Sequence, residues 1–405
     1  MADAHIELPK IQRIARVARA FTPGAPIDSL ALFRGRWPQI QDVVSAAAQR
    51  GYHVALYGER GVGKTSLANV LAEIFAMPDL PEFQSAFITC NTESTYESVW
   101  RDIYRELGLE TREGIAPEDV RFDLGRLDAP AMIVIDELDR LADDPSLTLL
   151  ADTIKTLSDH VVESTIVLVG VAHSLDGLIG EHASIVRNLQ QVEMPRMSEK
   201  ELTEIVTTGF NACEMDAHPE AIEKIVGLSK GLPHYTHLLA LHAGQRVVQD
   251  DRNGVTLGDV EAAIAPAIAR HTIRSDYVTA TRSTRAGTLY EQVLLACALT
   301  PKSELGSFTA GAIREPLRVI SHRKLDIPAF ARHLAQFLEP ERGSILHREG
   351  EPRHYFYRFA DPLLEQYVVL NGLANELISD YEMNALLNAP PVSPDPEPTE
   401  SPTLF

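Results

Sequence analysis

Over residues 53–194, short runs of consecutive apolar residues alternate with stretches whose apolar positions return every three or four residues. The runs at 53–57, 87–90, 131–135, 165–171 and 190–194 predict five strands, and helices are predicted at 38–49, 66–75 and 95–107 between them. Residues 131–135 are apolar throughout, as strands covered on both faces are. Alternating strands and helices of this kind predict an α/β core with a doubly wound parallel sheet. Beyond residue 197 the period is helical only, at 199–210, 219–229, 233–249 and 257–270, and Ser198 with Glu201 forms a capping box that opens the first of these. The pattern changes again near 288. Helices are predicted at 289–299, 309–320 and 327–338, and segments 344–347 and 355–359 flank Gly350-Glu351-Pro352 as a hairpin. Three helices and then a hairpin is the order of a winged helix-turn-helix. A basic amphipathic arm at 8–20 precedes all of this, and the Pro- and acid-rich stretch 388–405 is expected to be disordered. The domain reading is therefore an arm at 1–30, a core at 31–196, a helical lid at 197–275, a winged helix at 276–387 and a tail at 388–405.

The first strand runs into Gly58-Glu59-Arg60-Gly61-Val62-Gly63-Lys64-Thr65, with Ser66 opening the helix that follows. This is the G-x-x-x-x-G-K-[ST] loop in its required strand-to-helix setting, where backbone N–H groups turn inward around phosphate oxygens. Lys64 is expected to reach the β- and γ-phosphates, and the Thr65 hydroxyl to bind Mg²⁺. The third strand ends in Asp136-Glu137. A carboxylate there, Asp136, suits the Mg²⁺ shell, and Glu137 beside it suits orientation of an attacking water. These residues imply ATP and Mg²⁺ as ligands.

Charge adds a contrast between parts of the chain. The 405 residues carry a formal charge of −20, which argues against indiscriminate nucleic-acid binding. Residues 282–359, however, hold twelve Lys or Arg against eight Asp or Glu, a net +4. If this region binds DNA, its third helix enters the major groove; the alternative is that it docks a protein. Three widely separated cysteines, Cys90, Cys213 and Cys297, suggest neither a disulfide framework nor a zinc site. No apolar run reaches membrane-spanning length and the start of the chain lacks a secretory pattern, so no membrane association and a cytoplasmic location are expected.

With these motifs in hand, residues 31–375 resemble the AAA+ and STAND-like ATPases of bacteria, close to the origin-recognition and transposition-helper branch. The resemblance implies that Phe33, Gly35 and Arg36 form the box that packs on adenine. It implies that His173 or Ser174, after the fourth strand, senses the γ-phosphate. Arg187 is then either an arginine finger reaching a neighbouring subunit's nucleotide or a surface ion-pairing residue. In Gly231-Leu232-Pro233-His234-Tyr235, His234 stands where the origin-recognition ATPases carry a sensor arginine. The implied activity is slow ATP hydrolysis by a homo-oligomeric switch that engages DNA or a partner protein. The alternative is an ATP-dependent scaffold of a bacterial defence or signalling system that recruits a separate effector protein without touching DNA.

Overall fold

A computed structural model of the chain describes residues 8–77, 83–141, 144–171, 187–269, 271–283, 287–303, 306–351 and 354–387, and the chain divides into two compact units, 1–260 and 261–405. The first unit is built on five parallel strands: β1 His53–Tyr57, β2 Gln84–Thr89, β3 Ala131–Asp136, β4 Thr165–Gly170 and β5 Leu189–Glu193. Their order is β2-β3-β4-β1-β5. Every residue of β3 and β4 is buried, which is why both read as unbroken apolar runs. Because β1 lies between β4 and β5 while β2 sits at the far edge, the chain reverses its direction across the sheet after β1. The crevice at such a switch point, outside the strands' C-terminal ends, is where ligands bind.

The helices of this unit are α1 Leu8–Ala20, α2 Trp37–Ala47, α3 Lys64–Phe75, α4 Tyr96–Glu106, α5 Pro117–Leu124, α6 Asp144–Asp159, α7 Glu199–Ala212, α8 Pro219–Ser229 and α9 Pro233–Gln249. One core cluster joins Trp100, Ile103 and Tyr104 of α4 to Ile133 and Ile135 of β3 and Ile154 of α6. The mixed polar and apolar helices α5 and α6 escape the sequence reading. β2 also starts three residues earlier than its apolar part, because Gln84 and Ser85 open it. The basic face of α1 is spent within the molecule: Lys10 pairs with Asp251 at 3.3 Å, Arg16 with Glu214 at 2.7 Å, and Arg13 donates to the Arg252 carbonyl. On the other face Val17 and Ala20 are buried, and Phe21 sits edge-on to Phe210 of α7 with ring centroids 4.8 Å apart. The arm is thus a helix docked on α7 and α9. Two-residue strands β6 Asp216–Ala217 and β7 Gly254–Val255 tie the same region together, and α10 Leu257–Ala269 leads into the second unit.

The second unit contains α11 Arg274–Thr281, α12 Tyr290–Leu299, β8 Phe308–Thr309, α13 Arg314–Ser321, α14 Ile327–Gln336, β9 Leu346–Glu349, β10 Phe356–Phe359, α15 Pro362–Ala374 and α16 Asp380–Leu387. β10 pairs antiparallel with both β8 and β9. Helix, strand, two helices and a hairpin joined into one small sheet are consistent with a winged helix. The single helix expected at 309–320 is corrected here. Phe308 and Thr309 instead pair with Tyr357 and Phe356, and the helix starts only at Arg314. Phe308 is buried and stacks on Tyr357, so a partner some fifty residues away overrides the local period. Among the described residues no helix is long and apolar enough to cross a membrane.

Candidate nucleotide site

The loop between β1 and α3 is pinned from several sides. A Cβ on Gly58, whose φ is 156°, would overlap the Met194 carbonyl, so the loop leaves β1 against the end of β5 in a way only glycine allows. Gly63 is the N-cap of α3 in the left-handed region, and the helix begins at Lys64. The Lys64 ammonium donates to the carbonyls of Gly58 and Glu59 at 2.9 and 2.8 Å, which holds it over the concave side of the loop. Burial pushes its pKa down, opposed first by Asp136 and then by Asp139. Arg60 lies 3.7 Å from Asp139, and Ser66 accepts a hydrogen bond from the Ile27 N–H.

Asp136 and Glu137, read from sequence at the end of β3, meet this loop. Thr65 Oγ1 donates to Asp136 Oδ2 at 2.8 Å, and the Glu137 N–H donates to Asp136 Oδ1 at 2.8 Å. A hydroxyl and a buried carboxylate side by side are the hard oxygen donors that Mg²⁺ prefers. Glu137 has φ 52°, ψ 44°, a left-handed conformation costly for a residue with a side chain. It carries the half-exposed carboxylate beyond Asp136, where Arg140 holds it at 2.9 Å. The Cys90 thiol, raised to about 12 by burial and by Asp136, stays protonated beside these acids.

Residues 33–36 brace the loop from outside it. Arg36 is only 3 % exposed, and its guanidinium donates to the Val62 carbonyl at 2.7 Å, inside the phosphate loop. Its own N–H donates to Glu201 Oε1 at 2.8 Å, while Glu201 Oε2 accepts from the Ser198 N–H at 2.9 Å as the cap of α7. Arg34 is tied to Thr208 at 3.0 Å. Phe33 and Gly35 are half-buried beside them. Sequence reasoning missed Arg36 as a brace of the loop, because its partners lie 26 and 165 residues away.

His234 is the second residue of α9. Its ring is edge-on to Tyr235, and burial lowers its pKa, so it is neutral at pH 7. The N-terminus of α9 itself faces the loop, with Pro233 Cγ 3.8 Å from where a Gly63 Cβ would stand. Arg187 is exposed in the turn before β5, and His173 and Ser174 lie outside the described residues.

In the second unit, Arg318, Val319, His322, Arg323, Lys324 and Glu382 line a groove of about 560 Å³. Arg318 pairs with Glu315, and Lys302 with Glu365 at 2.9 Å. Arg342 caps the carbonyls of Ala280 and Arg282. Part of the basic surplus is therefore structural. Among the described residues no ion pair engages Arg323, Lys324 or Arg332.

Residues 47–179 match the family model described as an AAA domain. No curated protein matches the sequence. Among solved structures, the Aeropyrum pernix ORC2 protein is 15% identical with a TM-score of 0.52, over 88% of this chain and 98% of that one. The Aeropyrum pernix ORC1 protein in complex with DNA is 17% identical with a TM-score of 0.51, over 89% and 97%. A Walker-type ATPase of Pyrococcus abyssi is 17% identical with a TM-score of 0.52, over 85% and 98%. At such identities the likeness is one of fold. The chain thus has a stretch similar to an AAA domain at 47–179, on a fold similar to that of the Aeropyrum pernix ORC proteins.

Proposed function

We propose that the chain is an ATP-binding, slowly hydrolysing molecular switch that assembles with copies of itself and engages DNA or a partner protein through its C-terminal winged helix. The observation that carries this reading is the Thr65–Asp136 hydrogen bond, which joins the phosphate loop to the acidic strand end beneath Lys64. Thr65 and Asp136 would hold Mg²⁺, which supplies positive charge to the phosphate oxygens when bound. Lys64 would hold the phosphates, and Glu137 would orient and polarise water. Arg187, exposed before β5, is the residue we assign to a neighbouring subunit's nucleotide. The groove with Arg323 and Lys324 is the feature that favours a DNA partner.

The second reading, an ATP-dependent scaffold that recruits an effector protein, is favoured by α14. Its exposed positions include Ala329, Ala331 and Ala335, which offer base edges no hydrogen-bonding side chain. Gln336 is tied by accepting from the Tyr290 hydroxyl, which of these exposed positions leaves Arg332 to read a base edge. Light scattering of the Glu137→Gln protein with ADP or ATP–Mg²⁺, with and without duplex DNA, separates the two. Assembly that needs ATP and DNA together supports the DNA-engaging switch. ATP-driven assembly indifferent to DNA supports the scaffold, and no assembly with any ligand contradicts both.

A further inference from the structure

We propose that Arg196, rather than His234, is the lid-side cation that distinguishes a triphosphate from a diphosphate, by exchanging the carboxylate of Glu59 for the terminal phosphate. This inference rests on the nucleotide-site reading and extends it. Arg196 lies in the connection between β5 and α7, where the sheet gives way to the helical region. Its Nε donates to Glu59 Oε2 at 2.7 Å, within the phosphate loop. Glu59 is also the residue whose carbonyl receives the Lys64 ammonium, at 2.8 Å. The carboxylate that Arg196 holds and the carbonyl that holds Lys64 therefore belong to the same loop residue.

Its backbone is fixed on the other side. The Met197 N–H donates to the Gly231 carbonyl at 2.8 Å, and a Cβ on Gly231 (φ 80°) would stand 2.6 Å from Arg196 Cβ. The turn that launches α9 thus packs directly on Arg196. Any movement of that turn moves the arginine.

The electrostatics call for such a group. Glu59 places a carboxylate in a loop built for phosphates, so bound triphosphate and Glu59 repel, and Arg196 neutralises the carboxylate in the arrangement described. Phosphate carries more charge than one carboxylate, and the half-exposed Glu59 carboxylate is free to take up water when released, so the exchange favours the triphosphate. His234 is the poorer candidate, because burial favours its uncharged form and its ring packs edge-on to Tyr235.

The test is equilibrium binding of ADP and of a β,γ-imido ATP analogue, both with Mg²⁺, to wild type, Arg196→Ala, Arg196→Lys and Glu59→Gln. Arg196→Ala should cut the preference for the analogue over ADP by about tenfold or more, with Arg196→Lys between wild type and alanine. Glu59→Gln, which keeps the arginine and removes its partner, should raise the preference for the analogue over ADP. It keeps the test open should Arg196→Ala not fold. Equal weakening of both nucleotides in the arginine variants would make Arg196 a structural brace and overturn the proposal, as would unchanged binding of both. A wild type that binds neither nucleotide would overturn the nucleotide-site reading as well.

Discussion

Replacing Arg36 by methionine tests whether the residue braces the phosphate loop or only contacts a base. The side chain is almost fully buried, and its terminal nitrogen donates to the Val62 carbonyl at 2.7 Å. A hydrogen bond from a charged donor contributes about 1.5–3 kcal/mol. Methionine keeps the apolar stem and removes that bond, leaving the carbonyl unsatisfied. Arg36 Nε has no partner among the described residues, so the substitution also removes one desolvated donor. That offset puts the loss of loop stability near 2 kcal/mol, and if all of it must be made good when the loop orders around phosphate, affinity falls by up to roughly thirtyfold. On the proposed reading the loop holds the phosphates, so the loss should appear with pyrophosphate as well as with ADP. Isothermal titration of both ligands on wild type and variant measures it. Weakened ADP with unchanged pyrophosphate would refute the brace and return Arg36 to a base contact.

Three further outcomes are expected. Glu137→Gln should retain ATP affinity and lower phosphate release by about a hundredfold or more, since the proposed function gives it the task of positioning and polarising water; unchanged release would assign that task elsewhere. Phe21→Ala should destabilise the first unit by about 3–5 kcal/mol and speed tryptic cleavage at Arg13, Arg16 and Arg19, because Phe21 is fully buried against Phe210; an unchanged urea midpoint would mean that α1 is not held there. Burial pushes His237 down to about 4, so below pH 6.5 the unfolded chain takes up the proton before the folded one. Its contribution is present above that pH and is lost towards pH 4, by up to about 1.4 kcal/mol per pH unit. His237→Leu should flatten the acid side of the stability profile by that amount, and an unaltered slope would contradict a buried neutral imidazole.

What the sequence made legible were features whose cause is local. The phosphate loop, the apolar run into Asp136-Glu137 and the Ser198–Glu201 cap each declare themselves within about ten residues. Glu201 shows where this stops. Its capping role is written beside Ser198, but its second role, receiving the Arg36 N–H, depends on a contact across 165 residues. The same holds for Thr309, which reads as the start of a helix and folds as strand because Phe356 pairs with it. The basic helix α1 also looked like a free arm until its partners Asp251 and Glu214 came next to it. Arg196 carries no motif at all. Only its position against Glu59 and Gly231 marks it.

Binding of ATP–Mg²⁺ to the wild-type chain and to Lys64→Ala, measured by titration calorimetry, tests the central claim most directly. Wild type should bind one nucleotide per chain and the variant should show no measurable binding, because Lys64 is the cation held over the loop at Gly58 and Glu59. Equal affinity in the two proteins would contradict the assignment of this loop as the phosphate site.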